Sequence, residues 1–230
     1  MKDKILNYFK DLTFTEKDHS YYWKGNKVNK SVSAIVNKFS EEFDKMGNSL
    51  RVAKNTGRTQ QEVLDEWEEK ARVSRELGTR VHSFAEKYML NRDIETDCNY
   101  EKAVKKFWAE TQFSPIMAEC QMYHKRHKFC GTADLLLLDT VSNSYVLGDF
   151  KTNSDLFKNF KGKKMLDPFD ILYDMPHSKY SLQLSLYQLL IEQVKPIKIS
   201  ARVLIHLLPD GTYKQYFTKD YSKILNDVCL

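Results

Sequence analysis

Asp149 and Lys151 stand two residues apart in Leu147-Gly148-Asp149-Phe150-Lys151-Thr152. In an extended chain that spacing puts a carboxylate and an ammonium on one face. If the turn at Thr140-Val141-Ser142-Asn143 is symmetric, its centre falls between Val141 and Ser142, and Asp134 faces Asp149 across the hairpin. Two carboxylates directly opposite in a sheet repel each other. A divalent cation converts the repulsion into ligation, and hard oxygen ligands suit Mg²⁺. The bland alternative has both aspartates merely ending strands beside solvent. The coincident register with a neighbouring lysine favours the metal.

Such a hairpin needs strands, and the texture turns β-like at Pro115. Ile116 to Tyr123, Phe129 to Leu138 and Ser144 to Thr152 read as three strands joined by short polar turns. The Leu135–Leu138 run predicts a central strand buried on both faces. Asn153 to His177 follows as a connection too long to be ordinary, so it is either functional or mobile. Ser178 to Val194 reads as an amphipathic helix, and Ile199–Leu208 and Thr212–Phe217 as closing strands around Pro209-Asp210-Gly211. Upstream, Tyr21 to Val28 suggests a small hairpin around Gly25-Asn26. Ser33 is expected to cap a helix carrying Ile35, Val36 and Phe39. Thr59 to about Leu90 is helical by the recurrence of Leu64, Trp67, Ala71, Leu77, Val81, Phe84 and Tyr88, and a further helix covers Tyr100 to Glu110. With no internal repeat or low-complexity linker, residues 1–230 read as one domain: a mainly helical part with a small hairpin (1–112), a sheet core (113–219) and a tail (220–230).

Composition is that of an ordinary globular protein, with 42% hydrophobic and 29% charged residues in a chain of 230. No apolar run approaches the roughly 18 residues needed to cross a membrane. The first eighteen residues resemble neither a secretory signal nor a transit peptide, which makes a cytoplasmic location the default expectation. The net charge of +5 weakly favours a polyanionic partner. Two local clusters say more: Lys125 and Arg126 within His124–Lys128, and Lys158, Lys161, Lys163 and Lys164 interleaved with Phe157 and Phe160. Either they track a phosphate backbone or they are solvated loops. Cys98, Cys120, Cys130 and Cys229 are scattered without a CxxC pair, which argues against a structural zinc site or a disulfide framework.

Gly131-Thr132-Ala133-Asp134 followed by Gly148-Asp149-Phe150-Lys151-Thr152 resembles the G-x-x-D … (D/E)-x-K signature of PD-(D/E)XK nucleases. Gly78-Thr79-Arg80-Val81-His82 is similar to the upstream G-x-x-x-H of the RecB-like branch, and Gln183-Leu184-Ser185-Leu186-Tyr187 to its downstream Q-x-x-x-Y. Ser31-Val32-Ser33, after the aromatic hairpin, looks like the N-terminal region of phage exonucleases and the mitochondrial genome maintenance exonuclease. Each motif is short; four in the right order over residues 14–219 carry the resemblance.

The resemblance implies an α/β fold with a restriction-endonuclease-like core, α-β-β-β-α-β around a mixed central sheet, with additional N-terminal helices. It implies a Mg²⁺-dependent deoxyribonuclease, with Mn²⁺ as a substitute, acting as an exonuclease on DNA ends. Asp134, Asp149, the Phe150 carbonyl and His82 would hold the metal, and Lys151 would orient or activate water and stabilise charge on the phosphate. Glu119 matches an acidic position that would hold a metal-bound water. Gln183 and Tyr187 would lie over the centre, or else be ordinary boundary residues. Glu86, four residues beyond His82 on one helical face, either orients that ring or is a surface carboxylate. The iron–sulfur cluster of some relatives is not expected, since only Cys229 lies beyond Lys151. Two alternatives stand beside the exonuclease: a structure-specific or nicking endonuclease, and a catalytically silent nucleic-acid-binding module.

Overall fold

The computed structural model describes residues 1–15, 18 and 20–228; Cys229 lies outside them. The chain opens with α1 (Lys2–Tyr8), β1 (Leu12–Thr15), β2 (Ser20–Trp23) and β3 (Asn26–Lys27). The expected hairpin is therefore a three-stranded antiparallel sheet, because Leu12–Thr15 pairs with Ser20–Trp23 along its other edge. Then come α2 (Val32–Asn37), α3 (Lys45–Thr56), α4 (Gln60–Leu90) and α5 (Asn99–Glu110). The cap of α2 is Ser31 rather than Ser33: Ser31 is extended, and its hydroxyl accepts the Ala34 N–H at 3.2 Å. Helix α3, which the sequence reading did not assign, starts on Asp44 accepting the Gly47 N–H and stops at left-handed Gly57. Helix α4 starts at a full capping box, Thr59 and Glu62, and runs 31 residues, about 46 Å.

The sheet core follows as β4 (Phe113–Tyr123), β5 (Cys130–Asp139), β6 (Ser144–Lys151), α6 (Pro176–Ile191), β7 (Ile199–Leu207), β8 (Tyr213–Phe217) and α7 (Ser222–Val228). From α5 to β7 the order is α-β-β-β-α-β, and the sheet β4-β5-β6-β7-β8 is mixed: only β6 and β7 run parallel, joined through α6. The fold is α/β and restriction-endonuclease-like. Strand β4 begins earlier than Pro115 suggests; it is an edge strand with an irregularity between Pro115 and Met117, where a proline is tolerated.

Two apolar layers flank the sheet. One packs Leu136, Leu147 and Leu204 against α2, α6 and α7; the other packs Leu135, Leu137, Phe150 and Val203 against α4 and α5. Helix α6 is not amphipathic as expected. Leu182, Leu184, Ser185, Leu186, Gln188 and Ile191 are all buried, since α2 and α7 cover the face turned away from the sheet. The 220–230 region is likewise more than a tail, as α7 inserts Leu225 into that layer. The long connection after β6 is tied down by Leu156, Met165 and Phe169, all buried, and by a Lys164–Tyr173 bridge.

Candidate active site

Antiparallel pairs run from Asp139–Ser144 to Leu135–Gly148, the register that the symmetric turn predicts. One step further Asp134 and Asp149 come level. There the Asp134 carboxylate takes over from the backbone, accepting the Phe150 N–H at 3.1 Å. Alternation sends Phe150 into the opposite layer, against Phe107, and leaves Asp149 and Lys151 on the site face.

Asp149 is 1% exposed, and neither oxygen has a hydrogen-bond partner. Lys151 Nζ lies 2.6 Å from its Oδ2, an ion pair outside hydrogen-bond angles. Burial, then the neighbouring Asp134 charge, pushes the Asp149 carboxyl up to about 7. Burial pulls the Lys151 ammonium down, but Asp149 and Asp134 outweigh it, and the net direction is above the ordinary lysine value.

From the opposite wall α4 brings His82, whose Nδ1 is 3.3 Å from Asp134 Oδ2 and 3.7 Å from Glu119 Oε1. Asp134 chiefly, against the opposing effect of burial, raises this imidazole to about 9. Glu119 sits between the Ala118–Leu135 and Cys120–Ala133 pairs, level with Asp134, with a left-handed φ of +46°. A side chain rarely adopts that conformation, at a cost of about 1–2 kcal/mol. Strain of this kind concentrates at functional sites. Donor atoms of His82, Glu119 and Asp134 all lie within 4.8 Å of one another. A divalent cation fits these residues: the donors are oxygen and imidazole, and no backbone amide or hydroxyl donates to the buried Asp149 oxygens, which have the Lys151 ammonium beside them.

Other residues singled out in the sequence fall at different distances from this cluster. Gln183 Nε2 donates to the Tyr187 hydroxyl at 2.8 Å. Burial, then Asp149 and Asp134, drives the Tyr187 phenol well above its usual value, so it stays neutral. A Cβ on Gly131 would meet the Tyr187 ring and Val32 at 2.8 Å, which is why α2 and α6 can close on β5 only at a glycine. Glu86 is exposed; the carboxylates against the His82 ring are Asp134 and Glu119 instead.

None of Lys125, Arg126, Lys158, Lys161, Lys163 and Lys164 is among the residues lining the two clefts beside His82. Lys125 covers the Tyr8 ring at 3.8 Å, Lys163 pairs with Glu41 at 2.9 Å, and Lys164 donates to the Ile171 carbonyl. Arg126, Lys158 and Lys161 are exposed. Phe157 stacks on His177, whereas Phe160 is 66% exposed.

Sequence reasoning missed Tyr180 and Asn153. Lys151 Nζ lies 4.5 Å from the Tyr180 ring centroid. The Tyr180 hydroxyl donates to Asn153 Oδ1 at 2.9 Å, and His206 Nε2 donates to the Asn153 carbonyl at 2.6 Å. The signal was available, since Tyr180, Gln183 and Tyr187 share one face of α6 at three- and four-residue spacings.

A mixed sheet that brings two aspartates and a lysine together at its centre, with histidine and glutamate closing over them, has the architecture of a nuclease. The profile of the PD-(D/E)XK nuclease superfamily matches residues 34–215, and the chain belongs to that superfamily. No curated protein matches it.

Proposed function

We propose that the chain is a divalent-metal-dependent deoxyribonuclease, using Mg²⁺ or Mn²⁺, that acts as an exonuclease on DNA ends in replication, recombination or repair. One observation carries the metal-dependent reading: a buried Asp149 whose oxygens receive no backbone or hydroxyl hydrogen bond, set level with Asp134 and paired with Lys151. A silent binding module would gain nothing from holding these charges out of water. His82, Asp134, Asp149 and the Phe150 carbonyl would hold the metal, with Glu119 at its edge. When bound, the metal lowers the pKa of water and neutralises charge on the phosphate.

The chain's own groups do the rest. Lys151 Nζ, held protonated by the carboxylates, is placed to stabilise negative charge growing on the phosphoryl oxygens rather than to act as a base. Tyr180 and Asn153 orient that ammonium. Tyr187, neutral and hydrogen-bonded to Gln183, closes the site from above. The proposed enzyme is cytoplasmic and of one domain; no helix of the described residues is long and apolar enough to cross a membrane.

Exonuclease rather than endonuclease action rests on the likeness of Ser31-Val32-Ser33 and the preceding aromatic strands to phage and mitochondrial exonucleases. Incubation with linear, nicked and covalently closed circular DNA, with and without Mg²⁺, tests both levels. Degradation of linear DNA only, and only with metal, is the expected result. Cutting of closed circles makes the protein an endonuclease, and cleavage in chelator removes the metal from the reading.

A further inference from the structure

Two clefts open on opposite sides of His82 and Gly78, and their chemistry differs. The first, about 860 Å³, lies toward Glu119 and is lined also by Phe14, Ser83, Glu86 and Gln121. Glu86 and Glu119 supply its carboxylates beside His82, and no lysine or arginine is among the described residues lining it. The second, about 510 Å³, lies between α4 and the segment following β6. Arg75, Lys151, Tyr100, Tyr180 and Asn153 line it, with Leu77 on the apolar side.

We propose that the second cleft is a nucleotide subsite, taking the nucleoside monophosphate unit next to the scissile phosphate, with Arg75 on its phosphate and Tyr100 against its base. This rests on the nuclease reading above and adds where the substrate strand lies. The volume is that of a small-ligand site. Its lining pairs a planar cation with aromatic rings, and a nucleotide is an anion joined to an aromatic base. Lys151 belongs both to this cleft and to the catalytic centre, so a phosphate at the inner end of the cleft reaches the reacting group.

Arg75 is available for the outer phosphate. Its partner Glu68, 3.1 Å away, forms an ion pair in which both side chains are about two-thirds exposed (64% and 63%). Such a pair is worth little and yields to a ligand phosphate. The Asn153 side-chain carbonyl is occupied by the Tyr180 hydroxyl, so its amide N–H groups are what it offers a base or sugar.

The test is titration of metal-free protein with thymidine 5′-monophosphate, thymidine and inorganic phosphate, followed by protein-observed NMR. The monophosphate should bind more tightly than either of its parts. Arg75→Ala should weaken the monophosphate about tenfold, the loss of one charge-assisted hydrogen bond, and leave thymidine unchanged. Tyr100→Leu should weaken both thymidine and the monophosphate, and Tyr100→Phe should restore them. In cleavage assays Arg75→Ala should raise KM more than it lowers kcat, which loss of the Glu68 pair alone would not do. Equal affinity for phosphate and monophosphate, or unchanged affinity in both Arg75→Ala and Tyr100→Leu, overturns the subsite. Asp134→Ala separates the two readings: undiminished cleavage by that variant defeats the nuclease centre and leaves the binding result standing.

Discussion

Asp149 and His82 both bind a proton more tightly in the folded protein than in the unfolded chain. Asp149 rises from 3.8 to about 7 through burial and Asp134; His82 rises from 6.5 to about 9 through Asp134. The folded state therefore holds more protons than the unfolded one across both ranges, and stability falls as pH rises through them. Metal-free protein should melt at progressively lower temperature from weakly acidic to alkaline pH. Divalent metal should restore most at the alkaline end, with protons released on binding. Asp149→Asn should flatten the lower part of that profile, His82→Gln the upper part, and each should weaken Mg²⁺ or Mn²⁺ in calorimetric titration. A melting profile in either variant that overlays the wild type would sink the assignment of these residues as the metal cradle. Lys151 makes the complementary case. Lys151→Ala should keep metal binding and most DNA affinity yet lose turnover by about 10²–10³-fold, as when one transition-state donor is removed. Lost affinity with intact turnover would make it a phosphate anchor instead.

The site is assembled where elements approach closely, and Gly131 governs the closest approach. With Tyr187 and Val32 at 2.8 Å from any added Cβ, Gly131→Ala must push α6 or α2 off β5. Overpacking of this kind costs about 1–3 kcal/mol. Denaturant unfolding should show that loss, and cleavage should fall with it because the shift displaces Tyr187, whose phenol feels the Asp149 and Asp134 charges. A variant as stable as wild type would mean that the helices have slack the structure does not show. Helix α4 divides its labour. Val81, Phe84 and Ala85 bury against the sheet on either side of His82, while the amino-terminal half carries surface ion pairs such as Arg72 with Glu69 and Glu76. The buried half holds His82 in place, and the exposed half presents Arg75.

Over the whole molecule, the basic residues Lys158, Lys161, Lys163 and Lys164 stand apart from the clefts beside His82, and we propose them as the DNA track. Replacing Lys158, Lys161, Lys163 and Lys164 with Ala should weaken DNA binding without touching metal binding. Lys163 and Lys164 are already engaged with Glu41 and with Ile171 and Tyr173. The slope of log affinity against log salt should thus shrink by about 0.7–0.9 for each of the two remaining cations that meets a phosphate. An unchanged slope would move the track to the Lys125–Arg126 turn.

What the chain wrote locally could be read from it directly. The order α-β-β-β-α-β, the strand register about Val141–Ser142 and the shared face of Asp149 and Lys151 follow from turn residues and a two-residue alternation, both short-range. The span of α4 from Thr59 to about Leu90 and the run of α5 were legible from apolar recurrence at three- and four-residue spacings, while the Thr59–Glu62 capping box emerged only in the structure. Tertiary structure decided the remainder. Whether Ser31 or Ser33 caps α2 depends on which backbone is extended; α1 and α7, seven residues each, are too short to announce themselves, and α3 buries only Ser49 and Ala53. Helix α6 buries more than one face because α2 and α7 cover it, and the segment from Asn153 to His177 is anchored by Leu156, Met165 and Phe169 in the core. Glu119 illustrates the division. Its residue type was visible, but its left-handed backbone and its place beside His82 and Asp134 arise from an edge strand bending toward a helix some forty residues away in sequence. No local pattern encodes contacts between segments so far apart; packing against the sheet does.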